Sequence, residues 1–127
     1  MMKSKRPGKQ RKALYQAPLH RKHKLVSAHL SKELRKQMDK RSLPVRKGDD
    51  VKVMRGKFKG TIGKVSRVSL KKLKVYIENV KRKKVSGEEV FVPIHPSKLM
   101  ITNAIMDDPK RKIVVDRKKK VKRNGKA

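Results

Sequence analysis

The sequence predicts a mostly β protein in which five short strands, within residues 43–103, form a small barrel flanked by basic extensions. Apolar residues alternate with polar ones in short runs, as in Val51 and Val53 around Lys52, and this period of two is typical of a strand with one buried face. Turn residues separate the runs. Closing short strands into a barrel removes exposed sheet edges, and 127 residues suffice for one such domain.

The net charge restricts the class of partner. Lys and Arg number 40 against 10 Asp and Glu, which gives +30 at pH 7. Charge of this density opposes a compact state unless a polyanion neutralises it. Nucleic acid is the expected polyanion, because each bound phosphate releases a counterion and this release favours binding. A membrane surface is the weaker alternative, since no apolar run approaches the roughly 18 residues of a spanning helix. Because the chain has no cysteine, disulfides and Cys-based zinc sites are excluded, and we expect an intracellular protein.

Residues 1–29 are predicted to form a basic RNA-binding extension. Residues 1–24 contain few apolar side chains, and Pro7, Gly8 and Pro18 are expected to break any helix. We therefore predict an extended arm that is disordered in the free protein and ordered on a polyanion. The alternative, an ordinary solvated tail, does not require Arg and Lys at this density. The predicted contacts in this segment are Lys5, Arg6, Lys9, Arg11, Lys12, Arg21, Lys22 and Lys24.

Residues 30–42 are predicted to form the one short helix. Ser31 is suited to the N-cap, and Glu33 lies in the first turn, where the helix dipole favours a negative charge. Leu34 and Met38 make a narrow apolar stripe. A helix this short is marginal alone, so we expect it to dock on the domain or on the partner.

The five strands of the predicted barrel are short and separated by turns. They cover residues 50–55, 61–68, 73–77, 89–94 and 98–102. Residues 104–127 are predicted to be a basic C-terminal extension, in which residues 110–116 add one strand or a helical turn before a polybasic tail.

Four of the seven glycines lie within residues 48–63, namely Gly48, Gly56, Gly60 and Gly63. Their spacing does not match a phosphate-binding P-loop, because G-x-x-x-x-G-K-[ST] is absent. A hairpin explains them better: Gly56 and Gly60 can take the positive φ of a tight turn. Gly63, inside a strand, indicates a bulge or a close backbone approach.

The turn of this hairpin is predicted to be the centre of the RNA contact. It exposes three cations, Arg55, Lys57 and Lys59, which can follow a phosphate backbone. Phe58 between them either stacks on a splayed base or folds back as a lid on the barrel, and the sequence favours neither. The remaining predicted RNA contacts are Arg46, Lys47 and Lys64.

The stretch KGDDVKVMRGKFKGTIGKV, residues 47–65, resembles the KOW motif in its alternation, its glycine after Lys59 and its closing G-x-V. KOW motifs occur in SH3-like barrels of ribosomal proteins and of transcription elongation factors. This resemblance therefore implies an SH3-like barrel and a link to RNA. An elongation factor would also need a polymerase-binding domain, which residues 1–42 are too few to hold. A protein that compacts nucleic acid through charge alone is a further alternative, and it predicts equal affinity for DNA and RNA.

Four further blocks resemble the large-subunit ribosomal protein family numbered twenty-four in bacteria and twenty-six in eukaryotes, in its archaeal and eukaryotic form. They are RKALYQAP (11–18), LSKELRKQ (30–37), LPVRKGDDV (43–51) and IHPSKLMIT (94–102), and the likeness runs over residues 11–116. It implies a structural constituent of the large subunit, near the nascent-chain exit, that binds ribosomal RNA early in assembly beside neighbouring ribosomal proteins. The implied location is the cytoplasm, in ribosomes, and the nucleolus during assembly if the source is eukaryotic. The family's hairpin loop maps to residues 55–60 and its basic extension to residues 3–24.

The positions of the aspartate and histidine residues indicate structural roles and not catalytic ones. Asp49 and Asp50 are adjacent, and neighbouring strand residues point to opposite faces, so we expect them to start a strand through a turn. Asp107 and Asp108 precede a proline and have the same interpretation. His20 and His23 lie three positions apart but in the proline-broken arm, while His29 and His95 have no paired ligands. We expect no enzyme activity, cofactor, metal or small-molecule substrate.

Overall fold

A computed structural model of the protein describes residues 4–124. Residues 1–3 and 125–127, the outermost parts of the two basic extensions predicted above, lie outside the described residues. The α-helices are α1 (Pro7–Gln16), α2 (Leu19–Leu25), α3 (Lys32–Met38) and α4 (Pro109–Asn124). The strands are β1 (Ser27–Leu30), β2 (Ser42–Pro44), β3 (Asp50–Val53), β4 (Ile62–Ser69), β5 (Lys74–Ile77), β6 (Lys81–Lys83), β7 (Glu89–Phe91) and β8 (Leu99–Asn103), and a 3₁₀ turn covers Pro96–Lys98.

Six strands form one mixed sheet in the order β2-β1-β8-β3-β4-β5. Strands β1 and β8 are parallel, whereas the other neighbouring pairs are antiparallel. Strands β6 and β7 form a separate two-stranded ribbon, and a single bridge between Val75 and Ile94 ties the chain after the ribbon back to β5. The predicted mostly β fold is confirmed, while closure of the sheet into an SH3-like barrel stays a prediction.

The core follows from the period-two pattern of the strands. In β3, Val51 and Val53 are buried, and they face Ile101 and Leu99 of β8 in register. Ala28 and Leu30 of β1 and Val75 and Ile77 of β5 belong to the same apolar core. Full burial of a side chain of this kind contributes about 1.5–3 kcal/mol, so this core is the main source of stability.

The N-terminal segment is helical, which differs from the predicted extended arm. Pro7 is the first residue of α1, where its missing N–H and fixed φ are compatible with a helix. Pro18 lies between the two helices and caps α2 with an extended backbone. The prolines therefore separate two helices instead of preventing them. The sheet also begins before residue 43, because Ala28 and Leu30 of β1 alternate with exposed His29.

Helix α3 confirms the predicted helix and its cap. The backbone N–H of Leu34 donates a hydrogen bond of 3.3 Å to the Ser31 hydroxyl. Leu34 and Met38 are partly buried and pack against the core, so the helix docks on the domain as expected from its narrow apolar stripe. It is one of several helices, however, whereas the sequence predicted only one.

The C-terminal extension contains a helix where the sequence predicted a short element and then a tail. Helix α4 runs over Pro109–Asn124. Arg111 and Val115 lie four positions apart on one face of the helix and are both buried. These two residues attach the start of α4 to the sheet, although the sequence around them is dominated by charge.

The carboxylate of Asp49 binds helix α4 to the turn before β3. Its side chain is fully buried, and one oxygen accepts from the backbone N–H of Arg46 at 2.9 Å, which is the turn predicted for this residue. Both carboxylate oxygens also accept from the Arg111 guanidinium at 2.7 Å. Arg111 further donates to the carbonyls of Ile105 and Pro44. One buried ion pair thus joins the turn before β3, the end of β2 and helix α4.

Candidate nucleic-acid interface

The turn between β3 and β4 is the hairpin that the sequence predicted. Gly56 and Gly60 adopt φ of +96° and +91°, a region that favours glycine. The Gly60 N–H donates to the Val53 carbonyl at 2.8 Å and closes the turn. The side chains of Arg55, Lys57 and Lys59 are exposed. The backbone therefore presents three cations on a short and internally bonded loop.

Phe58 points back toward the domain. Its ring is partly buried and packs against the core, which agrees with the lid interpretation and not with a ring free in solvent. The same residue also lines a surface groove. Phe58 therefore packs between the turn and the core while forming part of the wall of this groove.

This groove, which we call the loop groove, lies between the β3–β4 turn and the chain that leads into β8. Its volume is about 250 Å³. Its apolar lining consists of Val53, Phe58, Val92, Pro93 and Ile94, and its polar lining of Arg55, Lys57, Lys74, His95 and Lys98 beside Gly56. This lining contains no Asp or Glu. Its cations come from three separate elements and lie around an apolar floor.

A second depression adjoins the loop groove and shares Arg55 and Lys98 with it. It has a volume of about 490 Å³ and extends past Arg35 and His29. Again no acidic side chain lines it. The two depressions together form one continuous basic surface around the hairpin turn.

The cations of the loop groove have no carboxylate partner among the described side chains. The ion pairs within the described residues involve the cations Arg46, Lys81, Lys84 and Arg111. None of these four residues lines the groove. A cleft lined by one sign of charge concentrates its potential and attracts counterions. The loop groove is consequently a candidate site for a polyanion.

The basic surface also contains five residues that were not among the RNA contacts predicted from the sequence. They are His29, Arg35, Lys74, His95 and Lys98. Lys74 lies on β5, whereas Lys98 ends the 3₁₀ turn. Their local sequences resemble other exposed positions of a basic chain. The pairing of β4 with β5 and the bridge between Val75 and Ile94 bring Lys74 near the hairpin turn. The pairing of β3 with β8 brings Lys98 near it, so no local signal was available.

Four predicted contacts in or near the hairpin lie outside the loop groove, namely Arg46, Lys47, Lys59 and Lys64. Lys47 and Lys64 are exposed, but Arg46 forms an ion pair with Asp108. The hydrogen bond from Arg46 holds the pKa of Asp108 below its ordinary value. Arg46 is therefore engaged inside the protein, and its guanidinium is less available to a phosphate than those of the exposed cations.

The two other predicted glycines are required by the backbone. Gly63 lies close to β5, because a Cβ on it would come 2.9 Å from the Ile77 side chain. This confirms the predicted close approach, while the bulge falls between Val65 and Arg67 instead. Gly48 has φ of +89° and lies against Ile105, so it allows the sharp turn before Asp49.

The N-terminal helices form a separate basic surface. Neither α1 nor α2 contains a buried residue. Of the cations predicted there, only Lys22 is half-buried, and its amine donates to the Tyr15 carbonyl at 3.1 Å. The exposed ones are Lys5, Arg6, Lys9, Arg11, Lys12, Arg21 and Lys24. None of these residues lines the loop groove.

His95 is the titratable group of the loop groove. Its Nδ1 accepts from the Ser97 backbone N–H at 3.3 Å and lies 2.8 Å from the Ser97 hydroxyl, so it caps the 3₁₀ turn. Burial lowers the pKa of His95 below 6.5, and the charges of Lys74 and Lys98 lower it further. The imidazole is therefore neutral at pH 7, which leaves Nδ1 free to accept.

This lowered pKa predicts a loss of stability in acid. Between the folded-state pKa of His95 and the ordinary value near 6.5, the unfolded chain binds more protons, so the free energy of unfolding falls as pH falls. We expect His95→Asn, which retains an acceptor for the Ser97 N–H, to have a shallower decline between about pH 7 and pH 5. Urea unfolding of both proteins at several pH values measures the difference. Parallel curves would contradict the assignment.

Neither a metal cluster nor a membrane-spanning helix is found within residues 4–124. This part of the chain contains no group of three His, Asp or Glu side chains placed to hold a metal ion. Its helices include none that is long and apolar enough to cross a membrane.

Comparison with known proteins identifies the family. A sequence profile that describes the ribosomal proteins L26 of eukaryotes together with their archaeal counterparts matches residues 4–118. The "Large ribosomal subunit protein uL24" of Methanosphaera stadtmanae is 48% identical over 115 residues, which cover 91% of this chain and 98% of that protein. The profile match spans the hairpin, the loop groove and the N-terminal helices. The chain therefore belongs to the family of the eukaryotic ribosomal proteins L26 and their archaeal counterparts.

Proposed function

We propose that the protein is a structural constituent of the large ribosomal subunit that binds ribosomal RNA through the loop groove and the exposed cations of α1 and α2. The observation that carries the proposal is the convergence of Arg55, Lys57, Lys74 and Lys98 around a groove without acidic side chains. Phosphates are the natural counterpart of such a surface, and they fix a protein on its RNA without reading sequence. The name of the archaeal relative supports the large subunit as the destination.

The two basic surfaces have different roles in this proposal. The loop groove is bordered by a turn between paired strands, so the backbone that carries Arg55 and Lys57 is held in place. The cations of α1 and α2 lie on helices without buried residues, which suits contacts along RNA backbone over a wider area. RNA bound to both surfaces would also relieve the self-repulsion of a chain with a net charge of +30.

The family resemblance supports several finer statements. The sheet is proposed to close as an SH3-like barrel of the KOW type, and the protein to join the subunit early in assembly. Its position is proposed to be near the nascent-chain exit, beside other ribosomal proteins, in cytoplasmic ribosomes. The function is structural, and no catalytic step is assigned.

Salt dependence and nucleic-acid preference test the proposal together. We expect the affinity for fragments of large-subunit ribosomal RNA to fall steeply with salt, because bound phosphates release counterions. We also expect tighter binding to structured RNA than to DNA duplexes of equal length, since A-form shape and the 2′-hydroxyl separate the two. Affinity that is indifferent to salt would contradict RNA binding through charge. Equal affinity for DNA would indicate a general compactor of nucleic acid.

Sedimentation distinguishes the ribosomal proposal from the elongation-factor alternative. We expect the protein to migrate with large subunits at moderate salt. Co-purification with RNA polymerase in place of large subunits would contradict the proposal.

A further inference from the structure

The loop groove is more than a row of cations, because its floor is apolar. Phe58, Val92 and Pro93 line it together with the buried core residues Val53 and Ile94. A surface that contacts phosphates alone has no need of an aromatic ring and a proline. The floor therefore indicates that an apolar, flat part of the ligand enters the groove.

The dimensions and charges of the groove restrict that ligand further. Its volume of about 250 Å³ lies below the 300–1,000 Å³ typical of pockets for drug-sized molecules, so one small planar group fits better than several. Cations are present on more than one side of the groove, with Arg55 and Lys57 on the hairpin turn and Lys74 and Lys98 on other elements. A planar group with an anion on each side is the chemistry of one nucleotide within a strand.

We propose that the loop groove receives one unpaired and unstacked RNA base, whose flanking phosphates lie against the cations on the two sides of the groove. This inference rests on the RNA binding proposed above and names the part of the RNA that this site takes. The base packs on Phe58 and Pro93, while Arg55 and Lys57 contact one phosphate and Lys74 and Lys98 contact the other. The interface thereby selects a bulge or a loop over a continuous duplex.

General features of RNA recognition agree with this assignment. The major groove of an A-form duplex is too deep and narrow for side chains to read, so proteins recognise splayed bases on aromatic or guanidinium planes. An acidic peptide with one apolar side chain is the competing kind of ligand. The net charge of +30 and the family membership favour RNA.

The test uses the full-length protein and two RNA duplexes that carry the same number of phosphates. Each has a bulged nucleotide, which bears 2-aminopurine in one RNA and is abasic in the other. We expect about ten-fold tighter binding of the RNA that has the base, the effect of one stacked base, together with a change in 2-aminopurine fluorescence. Equal affinity for the two RNAs would overturn the inference. Displacement of the bulged RNA by polyglutamate of matched charge as readily as by unlabelled bulged RNA would also overturn it.

Variants of the groove provide a second measurement. Phe58→Leu keeps apolar packing but removes the aromatic plane, so we expect the ratio of the two affinities, the ten-fold preference for the base, to fall to about one. Lys74→Ala with Lys98→Ala should weaken binding of both RNAs. Lys71→Ala with Lys72→Ala, which removes the same charge from exposed positions outside the groove, should weaken them less. A preference that survives Phe58→Leu would contradict the proposed position of the base.

The outcomes separate this inference from the proposed function. A protein that binds neither these RNAs nor fragments of ribosomal RNA contradicts both. A protein that binds ribosomal RNA with normal salt dependence, but does not distinguish base from abasic bulge, contradicts only the base site. The comparison of the two RNAs with the unaltered protein remains decisive even if a groove variant fails to fold.

Discussion

Arg111→Ala is expected to lower the free energy of unfolding by about 3–5 kcal/mol, the cost of leaving one member of a buried ion pair without its partner. Arg111 is 4% exposed and Asp49 is fully buried, so water cannot replace the lost guanidinium. The substitution also removes donors to the carbonyls of Ile105 and Pro44. Urea unfolding monitored by circular dichroism gives the change in free energy.

The helix provides a matched control for this prediction. Lys112→Ala removes the same charge from the neighbouring exposed position, so it should change stability by no more than about 0.5 kcal/mol. Arg111→Lys should also destabilise the protein, because an ammonium cannot make the two parallel bonds to Asp49. A loss for Arg111→Ala as small as that for Lys112→Ala would contradict the buried pair.

Replacing Arg55, Lys57 and Lys59 together by Ala is expected to produce the largest loss of RNA affinity. Each phosphate contact contributes nearly one unit to the slope of log affinity against log salt, so the slope should become shallower by about two to three. Affinity at moderate salt should fall on the order of ten- to a hundred-fold. Stability should change little, since all three side chains are exposed and the glycines that shape the turn are retained.

The control for this variant is the replacement of Lys118, Lys119 and Lys120 by Ala, which removes the same number of charges from the C-terminal segment. We expect a smaller loss of affinity and a smaller change in the salt slope from this triple variant. Equal losses for the two variants would show that the number of charges matters and their position does not.

The features predicted correctly from sequence depend on residues close together in the chain. The β3–β4 hairpin was predictable because Gly56 and Gly60 bracket a basic turn between alternating strands. Helix α3 was predictable because Ser31 is three residues before the Leu34 N–H that it caps. In both cases the interaction that defines the element lies within a few positions.

The features that were missed depend on distance or on the position of a proline. Arg111 pairs with Asp49 across 62 positions, and no local pattern marks a buried arginine in a run of basic residues. Lys74 and Lys98 join the hairpin turn only through strand order. Helices α1 and α2 were missed because Pro7 and Pro18 were interpreted as breakers, although both stand where a helix starts. For β1 a signal existed, since Ala28 and Leu30 alternate with His29.

The position of β8 in the sheet sets an order for folding during synthesis. Leu30 of β1 pairs with Ile101 of β8, and Val51 of β3 pairs with the same residue from the other side. Until the ribosome has released residues 99–103, the antiparallel pair β1–β2 and the β3–β4–β5 meander have no strand to join them. Pairings between such distant segments form slowly. The sheet of a nascent chain therefore stays in two unconnected parts until its last strand has been released.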